Sequence, residues 1–230
     1  MANHNSPAHH QRSHREQWRQ ERLAAERVAV RVPIRYGRIS ADRGGTYTMV
    51  FSNELTADRL GSGIAVPCRR RIRDGIDLAG EAEALWGAEQ TTARPTGRVS
   101  ATWGAVGLLC NPNTSDLESI RTSWMARTAQ EQQNYREFPH TNSEVAALDP
   151  GGMLNISWPE TRSGALQGLD MLLATATRPN CLADDAYPSA STVATAWVSE
   201  PEQAQYFHEN RRAGITTFDD PSIVRYIEER

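Results

Sequence analysis

Lysine is absent from this chain: all 25 basic side chains among its 230 residues are arginine. A P-loop needs a lysine at the phosphates, a protein kinase needs one on a strand, and a PLP enzyme or Schiff-base aldolase needs one as nucleophile. Those classes are excluded. Two causes fit the replacement, a coding bias toward Arg, Ala and Gly, which is the bland one, and selection for arginine chemistry. Its chemical consequence is that any anion held by a charged side chain meets a planar, bidentate donor.

Cysteine and histidine are scarce as well. Cys68, Cys110 and Cys181 are odd in number, widely spaced and free of any CxxC pair, so neither a disulfide framework nor a cysteine-rich zinc site is indicated. Of six histidines, His4, His9, His10 and His14 lie in the first 14 residues, in a Ser/Asn/Pro context that reads as disordered, which leaves only His140 and His208 for the body. No apolar run approaches the roughly 20 residues that span a bilayer, and the start MANHNSPAHHQRSHRE has no apolar signal region. The expectation is a soluble, cytoplasmic protein with reduced thiols and no membrane contact. No motif names a cofactor or a metal.

The net charge of −3 conceals an asymmetry. Residues 1–43 hold nine arginines against Glu16, Glu21, Glu26 and Asp42, a balance of +5, so −8 falls on the remainder. The chain therefore divides into a disordered tail (1–12), a basic helical arm (13–27) with a Ser-x-x-Glu capping box at Ser13 and Glu16, and one globular domain (28–230).

Within that domain, Val28, Val30, Val32, Ile34 and Tyr36 alternate with polar residues and, across SADRGG, face a second alternating run, TYTMVFS, which predicts an N-terminal β-hairpin. GIAVPC reads as a third strand. A helix from about Asp74 to Gln90 turns Leu78, Ala82 and Trp86 inward and Glu81, Glu83 and Glu89 mostly outward. Residues 98–110 are the longest apolar run and read as a central strand buried on both faces. A helix opening at Thr114–Asp116 follows, with Leu117, Ile120, Trp124 and Met125 inward, then strands MLNISW and LDMLLATAT. Helices from Ser189, from Ser199 and at Asp220-Pro221 end the chain. The pattern predicts an α+β or α/β fold: a mixed sheet of about five to six strands with helices packed on it.

Chemistry has few places to reside. Cys68 ends a strand and precedes Arg69, Arg70, Arg71 and Arg73, a position where ligands meet sheets with helical crossovers and where guanidinium charge would lower a thiol pKa. A cysteine nucleophile also needs a base, and neither His140 nor His208 carries a recognisable motif, so Cys68, Glu81 and His208 are weak catalytic candidates. Glu81 and Glu83, two apart, do not share a helix face. Asp184-Asp185 alone lacks the converging oxygens of a cation site. Arg43-Gly44-Gly45 can form a backbone N–H concavity for phosphate or carboxylate. Arg35, Arg43, Gly44, Gly45, Arg69 and Arg71 are the expected ligand-binding set if the first three strands are adjacent.

Two functions follow as expectations. One is a domain that binds an anionic small molecule through this arginine cluster, with hydrolysis or group transfer as the reaction classes left by elimination. The other is a non-enzymatic protein whose basic arm contacts an acidic protein or nucleic acid. The acidic body disfavours nucleic acid.

Overall fold

The computed structural model describes residues 7–41, 44–68, 75–89, 99–100, 104–129, 147–182 and 186–229. Helix α1 (Pro7–Arg22) leads into strands β1 (Val28–Val32), β2 (Ile34–Ser40), β3 (Thr46–Phe51) and β4 (Gly61–Ala65). Then come α2 (Gly75–Glu89), β5 (Val99–Ser100), β6 (Gly104–Cys110), α3 (Leu117–Thr128), β7 (Met171–Thr177), α4 (Ala190–Ser199), α5 (Gln205–Arg212) and α6 (Asp220–Glu228). The fold is α+β. Among the described residues no helix is long and apolar enough to cross a membrane.

In place of one mixed sheet, the strands form three small antiparallel sheets: β1 with β4, β2 with β3, and β5-β6-β7. Pro33 is the reason for the first division. It lacks an N–H and interrupts the run Val28–Tyr36, so the predicted hairpin splits there. β1 pairs Val28 with Ala65 and Val32 with Gly61, while β2 pairs Ile34 with Phe51 and Ser40 with Thr46. The Pro33 carbonyl still accepts from Ser52 N at 2.9 Å, which keeps the two halves in one ribbon. A bulge between Tyr36 and Arg38 then shifts the register of β2.

The predicted long strand 98–110 is also two strands. β5 folds back on β6, pairing Val99 with Ala105, and β7 flanks the other side of β6 from Gly104↔Thr177 to Cys110↔Met171. β6 is buried along its whole length. Val106, Leu108 and Cys110 pack under α2 and α3 against Leu78, Ala82, Trp86 and Trp124; Ala105 and Leu109 pack oppositely against Leu148 and Leu154. MLNISW is not a strand. Its first residues close the part of the β6 edge that β5 is too short to cover: Leu108 N donates to Gly152 O at 3.1 Å and Leu154 N to Leu108 O at 2.7 Å. The Asp149 carboxylate holds that turn by accepting from Gly151 N and Met153 N, each at 2.8 Å. Met125, expected inside, is exposed, because α3 turns Trp124 into the sheet instead.

Loop segments close the other small sheets too. Arg31 and Glu160 exchange backbone hydrogen bonds on β1, and Ser62 and Thr216 do so on β4. At the C-terminus, Ser189 caps α4 by accepting from Thr192 N at 3.2 Å. Trp197 then meets Tyr36 edge-on, 5.2 Å between centroids, and stacks on Phe207 at 4.7 Å. Such aromatic pairs add ~0.5–1.5 kcal/mol each beyond burial. The Trp197 indole donates to Thr46 Oγ1 at 3.0 Å, and Thr46 donates to Gln203 O, so β3 is pinned to both C-terminal segments.

Gly107 tests the packing of β6. A Cβ there would lie 2.5 Å from Leu148 Cδ1 and 2.7 Å from Leu154 Cγ. Gly107→Ala should destabilise the protein by about 1–3 kcal/mol in urea denaturation, through overpacking and not through backbone conformation.

Candidate functional site

β2 presents two faces because its side chains alternate. Tyr36 points into the C-terminal helices and Arg35, its neighbour, points the other way. The Arg35 guanidinium carbon sits 4.2 Å from the centroid of the Tyr187 ring. Its Nη1 reaches Glu54 Oε2 at 3.5 Å, with 17% of the Arg35 side chain and 36% of Glu54 exposed. The Arg35 Nε is buried and has no hydrogen-bond partner among the described residues. Gly37 allows this arrangement: a Cβ there would fall 2.7 Å from Tyr187 Cε1 and 2.6 Å from Val50 Cγ2.

Tyr187 and the Cys181 thiol near it hold their protons at neutral pH. Burial raises the Tyr187 phenol above its ordinary 10.0, with the Glu54 charge adding to the shift and the Arg35 charge opposing it. Burial also pushes the Cys181 thiol up to about 11, opposed by Arg38. Cys181 is therefore a neutral thiol near pH 7. Beside it, Asn180 completes the free edge of β2. Its carboxamide accepts from Ile39 N at 2.7 Å and donates to Ile39 O at 2.9 Å, while Asn180 N donates to Gly37 O at 3.1 Å.

Gly44 and Gly45 lie at the far end of the strand. From Arg35 to Ser40, where the turn begins, is about 16 Å at ~3.3 Å per residue. Both glycines adopt positive φ, +68° and +83°. Their amides already donate within the turn, Gly44 N to Ala41 O at 3.2 Å and Gly45 N to Ser40 O at 3.0 Å, and Gln203 Nε2 braces the Gly44 carbonyl at 3.0 Å. Arg43, Arg69, Arg71, Arg70, Arg73, His140, Asp184 and Asp185 lie outside the described residues.

Cys68 and Glu81 come to the same place, the end of the arm. α1 begins at Pro7, so Ser13 is an interior helical position and the helix extends into the expected tail. The arm docks on α2. Arg22 Nη1 pairs with Glu81 Oε1 at 2.7 Å, and Arg15 Nη2 with Glu89 Oε2 at 3.0 Å. Arg15 Nε also donates to the Ala88 carbonyl at 3.2 Å, among the last carbonyls of α2, where a cation suits the helix dipole. Leu23 bridges Cys68, and Ala24 N donates to Pro67 O at 2.8 Å. Glu81, expected to face water, is buried because the arm covers that face; Cys68 is exposed. His208 is exposed on α5, with its ring 5.3 Å from that of Phe207.

Comparison with family models, curated proteins and solved structures finds no match.

Among the described residues no group of three or more His, Cys, Asp or Glu side chains could hold a metal ion. The residues that sequence reasoning missed are Glu54, Asn180, Cys181 and Tyr187. None carries a local motif, since each acquires its role only where residues distant in sequence come against β2.

The arm clasp has a measurable strength. Removing Arg22 leaves a carboxylate of 8% exposure without this partner, while Arg22 itself is 36% exposed. Arg22→Ala should therefore cost about 1–3 kcal/mol, below the range for a fully buried pair, and Glu81→Gln should cost less. A double-mutant cycle by urea denaturation should return a favourable coupling that shrinks as salt is raised.

Proposed function

We propose that this chain is an anion-binding domain and that Arg35 is its contact group. The supporting observation is the state of that guanidinium: held on the Tyr187 face, half-buried, and matched among the described residues only by a long 3.5 Å contact to Glu54. A planar cation fixed against an aromatic ring is pre-organised for a carboxylate or phosphate, and little side-chain entropy remains to be lost on binding. Glu54 acts as a placeholder that an incoming anion displaces.

Binding is favoured over turnover. A reaction at this position would need a free base: Tyr187 and Cys181 both retain their protons near neutral pH, and the Glu54 carboxylate is engaged with Arg35. The arm is the weaker proposal as a contact for nucleic acid or an acidic protein. Arg15 and Arg22 are paired with Glu89 and Glu81, and Arg31 is paired with Glu160, so that among the described side chains of the arm Arg19 and Arg27 are the exposed cations.

Titration with inorganic phosphate, followed on the Arg35 Nε–H resonance by NMR, tests the reading. Phosphate should shift that resonance saturably. Arg35→Lys should weaken binding about tenfold, the loss of one bidentate hydrogen-bond pair, and Glu54→Gln should strengthen it several-fold. An unmoved Nε–H at millimolar phosphate, or equal affinity in Arg35→Ala, would exclude the site.

A further inference from the structure

Asp220 opens α6, yet it does not lie in solvent as a helix-opening carboxylate usually does. It is 3% exposed. Just ahead of the helix, Asp219 N donates to Thr217 Oγ1 at 3.2 Å, and the Asp220 carboxylate reaches back to Thr217 in the manner of a capping box. Asp220 Oδ1 accepts from Thr217 N at 2.9 Å, from Thr217 Oγ1 at 2.6 Å and from the buried Tyr36 hydroxyl at 3.3 Å. Oδ2 is buried and has no hydrogen-bond partner among the described residues.

The charged surroundings do not compensate for that second oxygen. Arg211 on α5 lies over the Phe207 ring, 5.4 Å from its centroid, and among the described residues no cation pairs with Asp220 within 4 Å. Tyr36 faces it from β2, with Tyr206 of α5 beyond, and Asp219 precedes it on the chain. α4 contributes Val193, Ala194 and Trp197 to the same cluster and has no titratable residue. An ionised carboxylate with one oxygen sealed in apolar packing is costly, and a neutral carboxylic acid is much less so.

We infer that Asp220 is a proton-uptake site that fastens α6 to β2: its carboxyl binds a proton as the C-terminal helices close on Tyr36, so the seating of α6 responds to pH. Burial raises the carboxyl above its ordinary 3.8, opposed by the Thr217 and Tyr36 hydrogen bonds and by Arg211. The unfolded chain ionises Asp220 at the ordinary value, whereas the folded chain holds the proton to a higher pH. Between those two values the unfolding constant rises about tenfold per pH unit as pH increases. The stabilisation is complete below the ordinary value and is lost once pH passes the folded one. The proton does not serve Arg35, which lies on the opposite face of β2, so this site and the proposed anion site stand or fall separately.

Urea denaturation of the full chain and of Asp220→Asn across acidic to neutral pH provides the test. The wild-type profile should lose stability with rising pH relative to the variant, by up to about tenfold in the unfolding constant per pH unit within the window. Parallel profiles would overturn the inference. If Asp220→Asn does not fold, the carboxyl carbon of Asp220 in the wild-type protein can be titrated by NMR. A midpoint above 3.8 that moves higher still in Tyr36→Phe, which removes one donor to the carboxylate, supports proton uptake. A midpoint at or below 3.8 contradicts it.

Discussion

A strand edge carries a row of backbone N–H and C=O groups that must find partners, and three small sheets have more edge than one large sheet of the same strands. The rest of this structure depends on how those edges are closed. Irregular segments do it one or two residues at a time: Glu160 on β1, Thr216 on β4, Gly152 and Leu154 on β6, and Asn180 on β2. Asn180 goes furthest, because its carboxamide supplies a donor and an acceptor to one residue, Ile39, as a neighbouring strand would. Each closure also fixes where a loop crosses the fold. The crossing at β2 carries Tyr187 over Gly37 and against Arg35.

β2 is consequently the strand on which the two chemical environments meet. On one face Tyr36 contacts Trp197, and its hydroxyl donates to the Asp220 carboxylate. On the other face Arg35 rests on Tyr187. The alternation of a single strand sends Tyr36, and with it the buried Asp220, to one face and the half-buried Arg35 to the other, which keeps acid and cation from neutralising each other. At the other end of the molecule the arm and α2 do the opposite, bringing Arg15 and Arg22 onto Glu89 and Glu81. Much of the basic front seen in composition is thus matched within the chain.

What could be read in the sequence follows from the range of each physical signal. Period-two alternation reveals that Val28, Val30 and Val32 face inward, and the apolar run around Leu108 reveals a doubly buried strand, because both are local. Pairing is not local. Nothing in Val28–Tyr36 says that its first half joins Gly61–Ala65 and its second half Thr46–Phe51, although Pro33 marks the place where a ladder must break. Glu81 looked solvated because the helical pattern of α2 cannot register an arm arriving from residues 7–22. Arg35 could be picked out as an arginine on a polar strand face, but Tyr187, 152 residues later, has no periodic context that ties it to β2. Asp220-Pro221 could be read as a helix start; the burial of Asp220 could not, since that depends on Tyr36 from the first strands.

Native-state amide hydrogen exchange tests the edge closures most directly. Ile39 is 38% exposed, and in an open edge strand its amide would exchange quickly. With the Asn180 carboxamide as partner, Ile39 N–H should be protected to a degree comparable with Val50 or Met49 in the interior of the β2–β3 pair, and Ser62 and Thr216 should be protected together. Rapid exchange at Ile39, Ser62 and Thr216 alongside protected strand interiors would contradict the account.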